Sequence, residues 1–186
     1  TATLAGADGH MSNEMTIVSW GGAYSASQQN AYHLPYIEKT GISIINDESS
    51  SEAVAKMRAM NEAGNITWDL VDVEAADAIR LCDEGLLEEI DQSILPAAPD
   101  GTAAADDFID GALQDCAVAN IVWSTVFAYN KDNNPTAPDS IGDFFNTADF
   151  PGKRGLRKSA KATLEMALMA DGVPAGEVYE VLDTDE

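Results

Sequence analysis

Trp20, Gly21, Gly22, Tyr24 and Ser25 stand almost consecutively, directly after the short strand-like run Met15 to Ser19. An aromatic face beside two glycines lets the backbone turn tightly next to a flat apolar surface. Tyr24 and Ser25 then open a helix, whose unpaired first N–H groups can hold an anion. Flat aromatic walls take cations and apolar bodies alike. The chemistry these residue types offer is non-covalent capture of a small solute. Trp123 could supply a second wall. Each tryptophan has the alternative of packing into a core, and Trp68, at the start of a strand, is expected to do so.

Motifs for bond-making chemistry are missing. The sequence contains no G-x-G-x-x-G, G-x-x-x-x-G-K-[ST], H-E-x-x-H, G-x-S-x-G or C-x-x-C. The two histidines, His10 and His33, are not in metal-ligand spacing. His33 is expected on a helix surface. No nucleophile has a visible base, so the expectation is a non-enzyme without cofactor or metal.

The elements that must position these residues follow from periodicity. Ser25-Ala26-Ser27-Gln28 reads as a capping box, with Ser25 as cap. The helix it starts should reach Thr40, end at Gly41, and kink or break at Pro35. Ile42 to Ile45 is a second strand. Ser49-Ser50-Ser51-Glu52 reads as another capping box, opening a helix with Val54, Met57 and Met60 on its inner face and Gly64 at its end. Trp68 to Val73 is a third strand. A third helix spans about Ala75 to Glu84, ends at Gly85, and turns Ile79 and Leu81 inward. Met166 and Met169, like Met57 and Met60, sit at helical spacing and read as core.

Strand-helix alternation with short connections predicts an α/β fold with a mostly parallel sheet flanked by helices. Right-handed crossovers put the ends of the first and third strands, Trp20 to Tyr24 and Val73 to Ala76, on one edge of that sheet. In open α/β sheets that edge receives ligands. Leu95 to Asp107, rich in Pro, Ala, Gly and Asp, reads as a loop. Cys116 to Asn130 reads as one long strand passing from one lobe into another. A loop at "NPTAPDS", helices at Ser140 to Asn146, Ala162 to Ala170 and Gly176 to Leu182, and a strand near Gly155 complete the reading.

Bulk properties set the class. The chain has 186 residues, 32 acidic against 10 basic, for a formal charge of −22. Such a surface repels nucleic acid and anionic membranes. It serves solubility or salt adaptation, or lines a cleft for a cation. Lys153, Arg154, Arg157, Lys158 and Lys161 concentrate half of the basic residues in nine positions. That patch either holds an anion or pairs with nearby carboxylates. Cys82 and Cys116 either form one bridge, which needs an oxidising compartment, or stay as buried thiols. The N-terminal "TATLAGADGH" has the look of a secretory signal-peptide remnant, with Ala5-Gly6-Ala7 before a cleavage point. Gly9-His10-Met11 would equally suit a cloning scar.

Four segments, in order, carry a resemblance: "TIVSWGGAYSASQQNAYHLPYIEKTGI", "WDLVDVEAADAIRLCDEGLLEEID", "VANIVWSTVFAYNKD" and "FFNTADFPGKRGLRKSAKATLEMALMADG". The chain resembles the extracellular solute-binding proteins of ABC importers, in the group that includes spermidine/putrescine-binding proteins. The resemblance covers nearly all of residues 15–182. It implies a periplasmic-binding-protein-like fold of two α/β lobes that close on a solute by a hinge. It implies residues 13–120 as lobe I, residues 121–186 as an incomplete lobe II, and residues 1–12 as the leader remnant or tail. The last helix has no strand after it, and the chain is expected to be truncated. The resemblance further implies a periplasmic location and a membrane permease as partner.

Carried over by position, Trp20 matches the first-strand aromatic of the cleft. Glu74 and Ala76 fall where polyamine binders place a Ser and a Tyr. Val122-Trp123-Ser124 lies on the crossing segment. Polyamine binders carry two acidic residues near the start of the "MAL" helix. Here Ser159 and Ala162 stand there, beside Arg157, Lys158 and Lys161. The expected ligand-binding set is Trp20, Gly21, Gly22, Tyr24, Ser25, Glu74, Trp123, Ser124, Arg157 and Ser159. The expected solute is a polyamine or related amine. The alternative is a carboxylate-bearing or zwitterionic solute whose acid group meets the Ser25 helix start and Arg157. An enzyme on the same scaffold, or a regulatory sensing domain, are the readings from other classes.

Overall fold

The computed structural model describes residues 12–184. The expected leader or tail, residues 1–12, lies outside them but for Ser12. The chain divides into two compact units, Thr1–Ile121 and Val122–Glu186.

The first unit is built on a parallel sheet in the order β2-β1-β3. The central strand β1, Glu14–Val18, pairs with β2, Ser43–Asp47, along its whole length, from Glu14 opposite Ser43 to Val18 opposite Asp47. On its other side Ile17 and Val18 pair with Leu70 and Val71 of β3, Leu70–Val71. Val18 is fully buried. The third strand is shorter than expected, because only two of its residues meet β1. Trp68 lies outside it, half-buried, with the Lys56 ammonium 5.8 Å above its ring, so it is not a core residue.

Helix α1, Gly22–Gln28, starts three residues earlier than the expected cap. Gly21 and Gly22 both adopt positive φ, 86° and 60°, and turn the chain into the helix at once. Ser25 is therefore inside α1 and is not its N-cap. The helix passes through a π-turn at Gln29–His33 into α2, Leu34–Thr40, and ends at Gly41 with φ 74°. The π-turn takes up the break expected at Pro35, whose missing N–H and ring disrupt a regular α-ladder. His33 is buried, not a surface residue, and its Nδ1 has no partner.

Ser49 to Glu52 does not cap by side chain. Ser50–Glu52 forms a 3₁₀ turn leading into α3, Ala53–Ala63. Its half-buried Val54, Met57 and Met60 are the expected face, and Gly64 closes it at φ 62°. In α4, Ala75–Asp83, Ala78 and Leu81 point inward while Ile79 is 52% exposed. Residues two apart on a helix face opposite sides, so Ile79 and Leu81 cannot both be core. Leu81 is fully buried, and its burial contributes about 1.5–3 kcal/mol.

The expected loop Leu95 to Asp107 contains one helical turn, α5, Ala104–Asp107. The expected long strand Cys116 to Asn130 is absent. Only Ala117–Val118, β5, is strand, paired antiparallel with β4, Leu113–Gln114. Ile121, Val122 and Val126 are exposed by 52–80%, and no strand supplies them with a ladder. Cys116, in the β4-β5 turn, is bridged to Cys82 at the end of α4.

Among the described residues of the second unit there is no strand, including near Gly155. It holds α6, Ile141–Phe145, α7, Thr163–Ala170, and α8, Val178–Leu182. Ser140 and Asp143 cap α6 reciprocally.

Candidate functional site

Backbone pairing fixes one edge of the first unit. The Asp72 N–H donates to the Val18 carbonyl at 2.9 Å, and the Ser19 N–H to Asp47 at 2.8 Å. The residues just past β1 and β3 therefore lie side by side, at the carboxyl ends of a parallel sheet. Trp20 is there, 38% exposed. Gly21 follows, and a Cβ on it would come within 2.9 Å of the Glu48 carboxylate.

A polar network adjoins this edge. The buried Ser19 hydroxyl donates to the Gln28 side-chain oxygen. The Gln28 amide donates to Asp72 Oδ2 at 2.9 Å. The Tyr24 hydroxyl donates to the same oxygen at 2.7 Å, and its own oxygen lies 3.2 Å from the Asn120 amide. A phenol has one proton, and the charged acceptor takes it. Asn120 Oδ1 is the longer, alternative acceptor for that hydroxyl. Burial, then the hydrogen bond to Asp72, then the Asp72 charge, hold the Tyr24 phenol well above the ordinary tyrosine range.

Tyr24 and Gln28 reach Asp72 together because residues four apart share a helix face. Ser25 turns the other way. It is buried, and its hydroxyl accepts from the Gly21 N–H at 2.8 Å. The Gly21 N–H thus meets the chain's own hydroxyl. Glu74 lies two residues beyond Asp72, at the start of α4, half-buried and in extended conformation.

Of the expected residues, the first unit brings together Gly21, Tyr24 and Ser25, with Trp20, Gly22 and Glu74 on the same sheet edge. In the second unit, Trp123 and Ser124 are exposed on an irregular segment. Arg157 and Ser159 share the turn before α7, where the Arg157 carbonyl accepts from the Ser159 N–H at 2.8 Å. Arg157 lines a cleft of about 600 Å³, bounded also by Phe127, Phe144, Phe150 and Met166. Trp123 and Ser124 do not line it. Arg154, in the same basic run, is engaged by the backbone: its guanidinium donates to the carbonyls of Phe144, Asn146, Phe150 and Gly152.

Asp72, Gln28 and Asn120 escaped the sequence reading. A signal existed for Asp72, a charged residue ending a strand of a parallel sheet. For Asn120 there was none, since its contact spans 96 positions.

Comparison with known proteins adds to this geometry. Residues 31–186 match the profile of the bacterial extracellular solute-binding proteins. Over 175 residues the chain is 45% identical to the gamma-aminobutyric acid-binding protein of Pseudomonas aeruginosa, covering 94% of this chain and 47% of that protein. The solved binding protein MotA of A. tumefaciens B6, in complex with glucopine, is similar at TM-score 0.81 and 33% identity, over 92% of this chain and 50% of that one. A solved GABA receptor is similar at TM-score 0.72 and 35% identity, over 89% of this chain and 49% of that one. The chain thus spans about half the length of these relatives. The fold is the α/β fold of periplasmic binding proteins, as the element order led one to expect.

Proposed function

The chain belongs to the bacterial extracellular solute-binding proteins, and on that premise we propose that it captures a small amino-acid-like solute for an ABC importer. Capture requires only a higher affinity for the ligand-closed state, and no catalytic step is proposed. The observation that carries this reading is the wall formed past β1 and β3, where Trp20, Tyr24 and Asp72 offer aromatic surface and a carboxylate to an amine. The names of the relatives, which speak of gamma-aminobutyric acid and glucopine, favour a solute bearing both an amine and an acid group. The second unit's Trp123, Ser124, Arg157 and Ser159 are proposed as further contributors.

A polyamine is the second reading. The acidic composition and Asp72 favour it, while the basic run from Lys153 to Lys161 opposes it. The partner is proposed to be a membrane permease, and the location the periplasm. The Cys82–Cys116 bridge supports an oxidising compartment. No helix among the described residues is long and apolar enough to cross a membrane.

The test is calorimetry and thermal shift against gamma-aminobutyric acid, other amino acids, glucopine, putrescine and spermidine. A bound solute must raise the melting temperature, by about 2.7 kcal/mol of stability at one hundred times Kd. A response to amino-acid-like solutes alone supports the first reading, and a response to the polyamines alone the second. A flat response across the panel overturns both.

A further inference from the structure

Four basic side chains stand between Ser12 and Ile121: Lys39, Lys56, Arg58 and Arg80. Lys56 pairs with Glu52, Arg58 with Glu84 and Arg80 with Asp77. Lys39 is in the last turn of α2, remote in sequence from the Gly21 end of α1. Asp72 accepts only from the neutral Tyr24 hydroxyl and Gln28 amide, both on Oδ2, and among the described residues no basic group pairs with it. Its charge is oriented but not compensated. A half-buried carboxylate in that state gains most from a cation.

On the same wall the Gly21 N–H is taken by Ser25 and the Tyr24 proton is committed to Asp72.

We propose that Asp72 recognises the ammonium end of the bound solute, so that the first unit reads the cationic group and leaves the acid group to other residues. This deepens the proposed function and rests on it. Gln28 and Ser19 act as positioning residues, holding the Asp72 carboxylate through the Gln28 amide.

The test compares Asp72→Asn with the unmutated full chain by calorimetry, using 4-aminobutyrate and its amine-free counterpart butyrate. Asparagine keeps an oxygen to accept from Tyr24 and Gln28, removes the charge and turns the second oxygen into an NH2 donor. The expected result is a loss of about 10- to 100-fold for 4-aminobutyrate, as for a hydrogen bond to a charged group, with butyrate unmoved. Equal binding of 4-aminobutyrate by D72N, or an equal loss for both solutes, overturns the assignment while leaving solute binding intact. Should D72N not fold, Asp72→Ser is read the same way. If the unmutated chain binds no solute of the wider panel, the parent reading fails and this one with it.

Discussion

The Tyr24 hydroxyl meets the Asp72 carboxylate at 2.7 Å across 48 positions of sequence. That bond joins the helix after β1 to the end of β3. It also fixes the protonation state of the phenol, since a hydrogen bond to a neighbouring anion favours the neutral form.

A first prediction follows from this pair. The folded chain holds the Tyr24 proton more tightly than the unfolded chain does. Tyr24's contribution to stability is therefore whole below the ordinary tyrosine pKa of about 10, and is lost as pH rises through the higher folded value. Absorbance titration at alkaline pH should show one of the five tyrosines ionising later than the rest. Tyr24→Phe should abolish that late step, and Asp72→Asn should move it to lower pH. A late step that survives Y24F would refute the assignment.

The turn into α1 gives a second prediction. Gly21 and Gly22 have φ of 86° and 60°, yet differ in surroundings: a Cβ on Gly21 meets Glu48, while one on Gly22 meets nothing within 4 Å. The left-handed backbone costs a side chain roughly 1–2 kcal/mol. Gly22→Ala should lose about that much in chemical denaturation. Gly21→Ala should lose more, about 2–3 kcal/mol, because at ψ 178° its backbone lies in a region essentially only glycine adopts, while the exposed Glu48 carboxylate can swing aside. Adding Glu48→Ala should recover only a small part of that loss. Full recovery would mean that contact, not backbone, demands the glycine.

What was legible in the sequence had local causes. Strand-helix alternation, the glycine stops at Gly41 and Gly64, and the break at Pro35 each arise from a few neighbouring residues. The adjacency of the loops after β1 and β3 followed from crossover handedness, and it is the relation on which the candidate site stands. The failures were tertiary. Cys116 to Asn130 has strand composition, but only Ala117 and Val118 find a partner. Ser25 has the spacing of a cap, but two glycines move the helix start ahead of it. Asp72 looked like one carboxylate among many until Tyr24 and Gln28 converged on it.

The Cys82–Cys116 bridge supplies a third prediction. The two residues are 34 positions apart, and closing such a loop stabilises by about 3–4 kcal/mol in the chain-entropy model. A thiol count under denaturing, non-reducing conditions should find no free thiol. Adding a reductant should lower the denaturation free energy by about that amount, because the bridge ties the β4-β5 hairpin to α4. Two free thiols in protein kept under oxidising conditions would contradict the structure.

The last prediction separates scaffold from site in the basic run. Arg154 donates to the carbonyls of Phe144 and Phe150, and its guanidinium lies 5.7 Å from the Phe144 ring. A planar fork with several donors can serve four backbone carbonyls at once, and a lysine ammonium cannot reproduce that geometry. Arg154→Lys keeps the charge and should still lose about 2 kcal/mol of stability, since carbonyls near the end of α6 lose charge-assisted partners. Solute affinity should change little, because no ligand contact is assigned to Arg154. Arg157→Lys should reduce affinity for an acid-bearing solute. If R154K weakens solute binding while leaving stability untouched, the division of roles between these two arginines is wrong.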